Sequence, residues 1–548
     1  MTETVRTATS VPAPTTTVTY ARPFASLVTL APNVTFTTWG KWDPGDTVTA
    51  TDVAKPYGQA AWSSLWLSAN PPNFTDYTSL YSTTVSPTPV PTEELVLPPP
   101  EYFRPTDCYY FPPNFVLGVA SSACQIEGAT ADEGKGPTLM DVLFKDESPK
   151  DYVTNEAYYY YKQDIERVAA MGVKYFSFSI SWSRILPFAL PGSPVNQQGI
   201  DHYNVVINFV LKKGMFLITP EIGKRNGAYQ NETFVDAFVH YAKIVMTHYA
   251  DRVPLWITFN EPQLYTSNGM SVYNLIMSHA HVAHFYRDEI QGTGKIGFKF
   301  NNHFGVPRDP LSSADIAAAD HYNSFIMGPF ANPIYLGKDY PESYKSTIHD
   351  YVPLTQEKLA YIGGTADYFL VDPYVATVIA PPVPSDEGSI MECATDVSSP
   401  FRPNCVNESS VNIYGWDLGY ASQSYVYMTP TYIRTCLNWI YNTYRHPIMI
   451  GEFGFPVWAE DEKTLANQLY DSPRSNYYLS FLSECLKAIW EDGVDIAGAF
   501  MWSYVDNWEF GDYRPHFGLQ TVNRTTQERH YKKSFFDIVD YIKARGVQ

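Results

Sequence analysis

Two hydrophobic patterns alternate along the chain from about residue 111 onward. Apolar positions between residues 161 and 169 recur at the spacing of an amphipathic helix, and Gly172 follows as a C-terminal cap. Positions 174–182 (KYFSFSISW) then alternate between apolar residues and serine, which is typical of a half-buried strand. This order predicts a helix that ends at a glycine and leads directly into a strand.

Further apolar runs predict additional strands, most of them separated by helix-like segments. They occupy positions 215–219, 254–259, 295–300, 367–371, 447–450 and 496–502. Strands and helices that alternate over most of a chain predict either a (β/α)8 barrel with long loops or a doubly wound sheet. The pattern by itself leaves both architectures open.

Residues 1–105 differ from the rest in composition. They are rich in Thr, Pro and Ser, and their last part (VSPTPVPTEELVLPPPEYFRP) is typical of an extended linker. The segment also contains four tryptophans, so it either packs on the main domain or forms a small aromatic patch, or it is a mostly unstructured extension. We predict an N-terminal extension and linker over residues 1–105 and one large domain over 106–548. The tryptophans are Trp39, Trp42, Trp62 and Trp66.

Composition and charge narrow the class of ligand. Aromatic residues make up 16% of the 548 residues, which suits sites that stack against flat faces such as those of sugars. The net charge of −19 argues against nucleic acid or an anionic membrane as the main partner. No apolar run approaches the roughly 18 residues of a membrane span. The sequence makes no prediction of oligomeric state.

Several features favour an exported protein, although no secretory signal is visible at the N-terminus and a cytoplasmic location stays open. The six cysteines form no CxxC pair, and Cys393 and Cys405 are the best disulfide candidates, since Pro400 and Pro403 between them favour a tight turn. Glycosylation sequons begin at five asparagines, which makes the protein a candidate glycoprotein. These are Asn33, Asn73, Asn231, Asn407 and Asn523.

Two glutamates stand out by their position. Glu261 follows the apolar run PLWITFN, and Glu452 follows PIMIG in the same way. In a parallel barrel, the carboxyl ends of the strands meet on one face, where catalytic groups cluster. Each glutamate alone could be an ordinary acid at a helix start. Together they indicate the paired carboxylates of a glycosidase, one an acid and the other a nucleophile.

Six segments, in this order, resemble those of glycoside hydrolase family 1, and in particular its fungal β-glucosidases. The resemblance runs from about residue 111 to 541 and implies a (β/α)8 TIM barrel that hydrolyses terminal β-linked glucose from glucosides or short oligosaccharides, without a metal or organic cofactor. The segments are FPPNFVLGVASSACQIEGA, YYKQDIERVAAMGVKYFSFSISWSRILP, WITFNEPQ, TADYFLVDPYVA, PIMIGEFGF and AGAFMWSYVDNWEFGDYRPHFGL.

The matching motifs imply roles for seven residues. Glu261 in the Asn-Glu-Pro motif corresponds to the acid/base, and Glu452 corresponds to the nucleophile of a retaining double displacement. The other five residues correspond to the family's contacts with the sugar or with the nucleophile. They are Gln125, Asn260, Tyr374, Trp502 and Glu509.

The chain departs from the family pattern near the predicted nucleophile. Ser177 stands where the family has an Arg on the second strand, and such a cation would hold the nucleophile ionised. Gly451 and Phe453 flank Glu452 where the family has Thr and Asn. The sequence shows no obvious replacement for the Arg, although Lys224 or Arg225 could swing in.

Two further departures concern the sugar side of the predicted site. The family's third strand ends in a His-Trp pair that this chain lacks in FLITPEIGKRNGAYQNE, and Phe510 replaces the Trp that follows the distal glutamate. These changes predict a low kcat/KM and an increase on Ser177→Arg. They also keep a second hypothesis open, a carbohydrate-binding pseudoenzyme of the same fold that has lost turnover.

Overall fold

The computed structural model of the protein describes residues 18–43, 55–71, 80–95, 108–146, 149–220, 228–266 and 268–546. Eight parallel strands form one continuous sheet in which each strand pairs with the next and the last pairs with the first. The sheet is therefore a closed barrel, and the doubly wound alternative is wrong. The strands are β1 Val116–Ala120, β2 Tyr175–Ser177, β3 Phe216–Pro220, β4 Leu255–Asn260, β5 Lys295–Pro307, β6 Tyr368–Ala380, β7 Ile448–Phe453 and β8 Ile496–Trp502.

One long helix follows each strand and packs outside the barrel. The alternation predicted from the sequence is thus present in full, which makes the fold a (β/α)8 barrel. The helices are α1 Ala157–Ala170, α2 Gln197–Lys212, α3 Thr233–Tyr249, α4 Gly269–His284, α5 Ser313–Ala331, α6 Pro430–Tyr444, α7 Ser472–Trp490 and α8 Lys533–Ala544.

Strand β2 is shorter than the nine residues that its alternating pattern predicts. It ends at Ser177, and side chains take the backbone groups further along: the N–H of Ser181 donates to the Tyr203 hydroxyl of α2 at 2.9 Å, and the Ile180 carbonyl accepts from the Tyr241 hydroxyl at 2.9 Å. The chain then turns into a short helix, Trp182–Ile185. Side chains that bond to the backbone can thus end a strand whose hydrophobic pattern continues.

Strands β5 and β6 are longer than predicted. They stay paired from Gly297↔Tyr368 to Pro307↔Ile379, well beyond the length of the other barrel strands. The end of β6 also pairs with the antiparallel strand Asn407–Ser409. The pair therefore extends past the carboxyl end of the barrel, where the βα loops lie.

The described parts of the N-terminal region pack against the barrel domain. The indole N–H groups of Trp62 and Trp66 donate to the backbone carbonyls of Gly134 and Lys135 at 3.0 and 3.1 Å. Trp39 and Trp42 join the same buried aromatic cluster. Packing on the main domain is therefore the correct alternative for these residues. The boundary at residue 105 stays a prediction, since residues 96–107 lie outside the described ranges.

The predicted disulfide between Cys393 and Cys405 is confirmed. The two Cα atoms lie 5.7 Å apart, and the bridge joins the short helix Gly388–Thr395 to the loop before Asn407–Ser409. It closes part of the long βα loop after β6. Among the helices in the described ranges, none has the length and apolar character needed to cross a bilayer.

Candidate active site

Glu261 lies at the carboxyl end of β4, where the strand turns into the following loop. Its backbone has a positive φ of 50°, and its N–H donates to the Lys299 carbonyl of β5 at 2.9 Å. The Asn301 amide donates to its carboxylate at 3.0 Å. Backbone and side-chain contacts with β5 therefore fix this carboxyl group at the mouth of the barrel.

Glu452 lies near the end of β7 and is almost fully buried. The ammonium of Lys299 donates to its Oε1, and the Tyr374 hydroxyl of β6 donates to its Oε2 at 3.0 Å. Both carboxylate oxygens thus have a donor. A cation and a hydroxyl donor both favour the ionised carboxylate.

Asp372 on β6 is a third carboxylate in the same place. It is completely buried, and one of its oxygens lies 3.2 Å from the Lys299 ammonium. One oxygen each of Glu261, Asp372 and Glu452 lies within 4.8 Å of the others. Three carboxylates at this separation could bind a metal ion, but here the Lys299 ammonium already supplies the positive charge among them.

The electrostatic environment favours a protonated Glu261. Burial and the negative charge of Glu452 raise its pKa to about 7, although Lys299 acts in the opposite direction. Burial also raises the pKa of Asp372 well above its usual range. One cation thus stands among three carboxyl groups, and the raised pKa values of Glu261 and Asp372 favour the protonated form of these two groups.

The residues predicted to meet the sugar line the same end of the barrel. The amide N–H of Gln125 donates to the Trp508 carbonyl at 3.0 Å, and the Trp502 indole N–H donates to Glu509 at 3.4 Å. Burial raises the pKa of Glu509 to about 8. The side-chain oxygen of Asn260, next to Glu261, is buried without a protein partner.

Tyr425, in the loop after β6, was not predicted as a site residue. Its ring lies 5.2 Å from His303 and 5.9 Å from Tyr374. Although the residue is 47% exposed, loss of water around its hydroxyl, followed by the charges of Glu261, Glu509 and Glu452, raises the pKa of that hydroxyl. The loop carries no periodic pattern, so the sequence offers no signal that would bring Tyr425 to the site.

Lys299 and Asp372 were also missed, although the sequence contains a signal for both. Lys299 interrupts the apolar run KIGFKF, and Asp372 directly follows the apolar run DYFLV. A charged residue within or directly after a buried strand is costly unless it has a partner. The same reasoning that selected Glu261 and Glu452 therefore applies to these two residues.

The expectation that Glu452 lacks a cation is wrong. The second strand does carry Ser177 in place of Arg, but Lys299 of β5 contacts Glu452 from another side of the barrel. Lys224, Arg225 and the rest of residues 221–227 lie outside the described residues. The predicted loss of the third-strand His therefore stays a prediction.

Comparison with known proteins places this barrel in one family. The family model for glycosyl hydrolase family 1 matches residues 108–547. Beta-glucosidase 1B of Phanerodontia chrysosporium is 31% identical over 469 residues, which cover 77% of this chain and 84% of that protein. Beta-glucosidase 34 of Oryza sativa subsp. japonica is 31% identical, over 77% of this chain and 90% of its own length.

Solved structures agree with these sequence matches. A GH1 beta-glucosidase from the fungus Humicola insolens, solved in complex with glucose, superposes with a TM-score of 0.73 at 28% identity, over 80% of this chain and 99% of that one. Beta-glucosidase 2 from Trichoderma reesei, solved with Tris, gives a TM-score of 0.73 at 29% identity, over 79% and 99%. The chain belongs to glycosyl hydrolase family 1, and it is an O-glycoside hydrolase.

Proposed function

We propose that the protein is a retaining β-glucosidase in which Glu452 is the nucleophile and Glu261 the acid/base. The observation that carries this proposal is the close approach of two unlike carboxyl groups. Their nearest oxygens lie within 4.8 Å, one group is bound by a cation, and the other has a pKa raised to about 7. Retaining glycosidases place the two groups roughly 5–5.5 Å apart, whereas inverting enzymes leave roughly 6.5–9.5 Å for a water.

In the first half of the reaction, Glu452 attacks the anomeric carbon while Glu261 gives its proton to the leaving oxygen. The bond to the aglycone breaks, and a covalent glycosyl ester forms on Glu452. Lys299 and Tyr374 keep both Glu452 oxygens in place beforehand, which limits reorganisation during the attack.

In the second half, Glu261 acts as a base. It accepts a proton from a water molecule, which attacks the anomeric carbon and releases glucose with its configuration retained. A carboxyl group whose pKa lies near 7 is suited to both roles, because it can give and regain a proton close to neutral pH.

The remaining residues would bind the sugar by hydrogen bonds and stacking. We assign Gln125 and Glu509 to the hydroxyls at the far edge of the glucose, and Trp502 to its apolar face. Asn260, next to Glu261, would donate its amide N–H to the 2-hydroxyl. Tyr374 acts through Glu452, to which it donates.

The pseudoenzyme hypothesis loses its main support. It rested on the absent second-strand Arg, and Lys299 supplies a cation to Glu452. The two curated relatives described above are both named as β-glucosidases, which also favours turnover. The remaining support for this hypothesis is the segment after β3, whose sequence lacks the family's His-Trp pair.

The test is hydrolysis of 4-nitrophenyl β-glucoside by the purified protein, with the anomer of the released glucose followed by proton NMR. We expect β-glucose as the first product and no detectable turnover by Glu452→Ala. Glu408→Ala is a matched control, because Glu408 is an exposed glutamate of the loop after β6. No hydrolysis of any β-glycoside by the folded protein would support the pseudoenzyme, and α-glucose as the first product would exclude the retaining mechanism.

We also propose that the protein is exported and glycosylated. A Cys393–Cys405 disulfide is typical of oxidising compartments, and sequons at Asn33 and Asn523 lie on exposed residues. Intact mass spectrometry of the protein from its native source, before and after reduction and deglycosylation, checks both points. Two free thiols at these cysteines, or an unmodified mass, would contradict the proposal.

A further inference from the structure

Lys299 holds a position that needs an explanation. It is 1% exposed, and it lies in the middle of β5 between Phe298 and Phe300, both of which are fully buried. Phe298 packs on Phe330 of α5, so Lys299 points the other way, into the barrel. A buried ammonium is retained only if opposing charges stabilise it.

The groups that face Lys299 come from three other strands. Glu452 of β7 and Asp372 of β6 contact its ammonium, and Glu261 at the end of β4 is the third charge near it. Around Glu452, the titratable neighbours are Lys299, Asp372, Glu261, Tyr374, Tyr425 and Glu509. Within this described set, Lys299 is the one cation.

Gly451 provides an independent observation. A Cβ atom placed on Gly451 would lie 2.4 Å from Cδ of Lys299 and 2.7 Å from a carboxylate oxygen of Asp372. The backbone of Gly451 is not left-handed, so its conformation does not require glycine. Glycine is therefore needed here for steric reasons. The stem of Lys299 and the carboxyl group of Asp372 occupy the volume that a side chain at position 451 would fill.

The last observation concerns Ser177 of β2, a strand that is separated from β7 by β8 and β1. It pairs with Ala120, which in turn pairs with Trp502, and Met501 pairs with Phe453. Ser177 thus lies near the carboxyl end of the barrel, as Glu452 does, on the face of β2 opposite to Phe176, whose ring packs on Tyr504. A small uncharged side chain stands at the place where the family resemblance implies a cation.

We propose that Lys299, Asp372 and Gly451 form one substitute for the missing arginine. Lys299 is the positioning residue that keeps Glu452 ionised and oriented, Asp372 anchors its ammonium, and Gly451 leaves the room that its stem needs. The proposal rests on the proposed function of Glu452 as nucleophile. In this chain the cation beside the nucleophile would thus come from the fifth strand, whereas the family resemblance implies one on the second strand.

The first experiment is the pH dependence of kcat/KM for Lys299→Met. Without its cation, Glu452 should take up a proton at higher pH, so the acidic limb of the profile should move up by roughly 1–3 pH units. The maximal kcat/KM should fall about 10²–10³-fold, as for other preorganised electrostatic contacts. Lys295→Met is the control, because Lys295 begins the same strand but faces solvent beside Asp367. An acidic limb that stays in place in Lys299→Met would overturn the proposal.

A second variant guards against a folding defect. Lys299→Met/Asp372→Asn removes the ammonium together with the buried carboxyl group that it contacts, so no Asp372 carboxyl is left without its partner. It still lacks the cation at Glu452, and its acidic limb should be displaced in the same direction. A wild-type profile in this folded double variant would contradict the role of Lys299.

Two more variants test the geometry of the substitute. Ser177→Arg in the otherwise unchanged protein should not increase kcat/KM, because Lys299 already serves Glu452. A large increase would show that Glu452 lacks an effective cation, against the proposal. Gly451→Thr should reduce kcat/KM strongly by displacing Lys299, and it should cost much less in a Lys299→Ala background, where the space is open. Equal losses in both backgrounds would refute the spatial argument.

A titration that needs no turnover separates this inference from the proposed function. The carboxyl carbon resonance of Glu452, assigned by comparison with Glu452→Gln, should titrate at higher pH in Lys299→Met than in the unmodified protein. If no β-glycoside is hydrolysed, the proposed function fails, and the titration still decides whether Lys299 holds Glu452 ionised. Identical titration curves would overturn the inference even in an active enzyme.

Discussion

Two clusters of charged side chains lie at the carboxyl end of the barrel, and they differ in how the pKa values of their carboxyl groups are shifted. The carboxylate cluster consists of Glu261, Asp372, Glu452 and the single cation Lys299. The ion-pair cluster joins the loops after β7 and β8 to the starts of α7 and α8. It consists of Glu460, Asp471, Asp506, Arg474 and Lys532.

Both clusters have three carboxyl groups, but they differ in their number of cations. In the ion-pair cluster, Lys532 lies 2.7 Å from Glu460 and 2.8 Å from Asp506, and Arg474 lies 2.5 Å from Glu460. These cations lower the pKa of Glu460 and bring that of Asp506 to about 2, although burial acts in the opposite direction. In the carboxylate cluster, one lysine is not enough, and the pKa of Glu261 rises to about 7.

Burial still raises the pKa of Asp471 in the ion-pair cluster, so the difference between the clusters concerns Glu460 and Asp506 on one side and Glu261 on the other. Two cations keep Glu460 and Asp506 ionised across the physiological range, which suits a permanent contact between loops. One cation leaves a proton that can be exchanged near neutral pH, which suits acid and base chemistry. Four predictions test this difference.

The largest effect is expected for Glu261→Gln. Because Glu261 must be protonated to donate, activity of the unmodified protein should fall as the pH rises through about 7. The variant should lose roughly 10²–10⁴-fold in kcat/KM and with it this basic limb. Steady-state rates on 4-nitrophenyl β-glucoside between pH 4 and 9 measure both changes. Glu460→Gln is the matched control, and loss of the basic limb there would break the comparison.

Arg474→Met should destabilise the fold more than it changes the chemistry. The guanidinium is fully buried and contacts Glu460, Asp471 and the backbone carbonyl of Phe455. Removing one partner of a buried ion pair costs about 3–5 kcal/mol. Urea denaturation followed by circular dichroism should show this loss in the free energy of unfolding. A change below about 1 kcal/mol would mean that the cluster contributes little to stability.

Asp506→Asn should reduce stability in a pH-dependent way. Its lowered folded-state pKa of about 2 means that the ionised group stabilises the fold above the unfolded pKa near 4, and that this contribution is lost as the pH falls toward 2. The expected loss at pH 7 is about 2 kcal/mol, and the difference between the two proteins should shrink below pH 4 and vanish only near pH 2. Parallel denaturation curves at pH 7 and pH 2.5 make the test, and a constant difference would argue against linkage.

The smallest effect has the opposite sign and concerns the stability of Glu261→Gln. A folded-state pKa raised to about 7 means that the neutral acid is favoured in the fold, and that stability is lost as the pH rises through that value. The neutral amide avoids this loss, which begins near the unfolded pKa of about 4.5, so we expect a gain of about 1–2 kcal/mol at pH 8 and little change at pH 4. Thermal unfolding at both pH values checks the prediction. A destabilised variant at pH 8 would contradict the raised pKa.

Much of the architecture was predictable from local sequence. The run 496–502 coincides with β8, and the helix predicted before Gly172 is α1, because apolar periodicity reflects which face each residue must bury. The short β2 was not predictable in this way. Beyond its end at Ser177, the N–H of Ser181 donates to the Tyr203 hydroxyl of another element, and no periodic pattern contains that contact.

The residues of the candidate site also fall into two groups, those that could be selected from the sequence and those whose role only the fold reveals. Glu261 and Glu452 could be selected from the sequence, because an acid directly after an apolar strand lies at the barrel mouth wherever the strands are parallel. Lys299 interrupts an apolar run, which marks it as a charge that needs a partner, but the sequence does not show which residue that partner is. Its partner is 153 residues away, so its role depends on barrel closure, which brings β5, β6 and β7 side by side.

Local chain chemistry thus dictated where strands and helices form and which carboxyl groups reach the carboxyl end of the barrel. The number of charges around each of those groups was decided by tertiary structure alone. Interaction energies between charges depend on distance and burial, and neither is a property of one segment. Ser177 in isolation indicates a lost cation, whereas the folded barrel supplies Lys299 in the space that Gly451 leaves open.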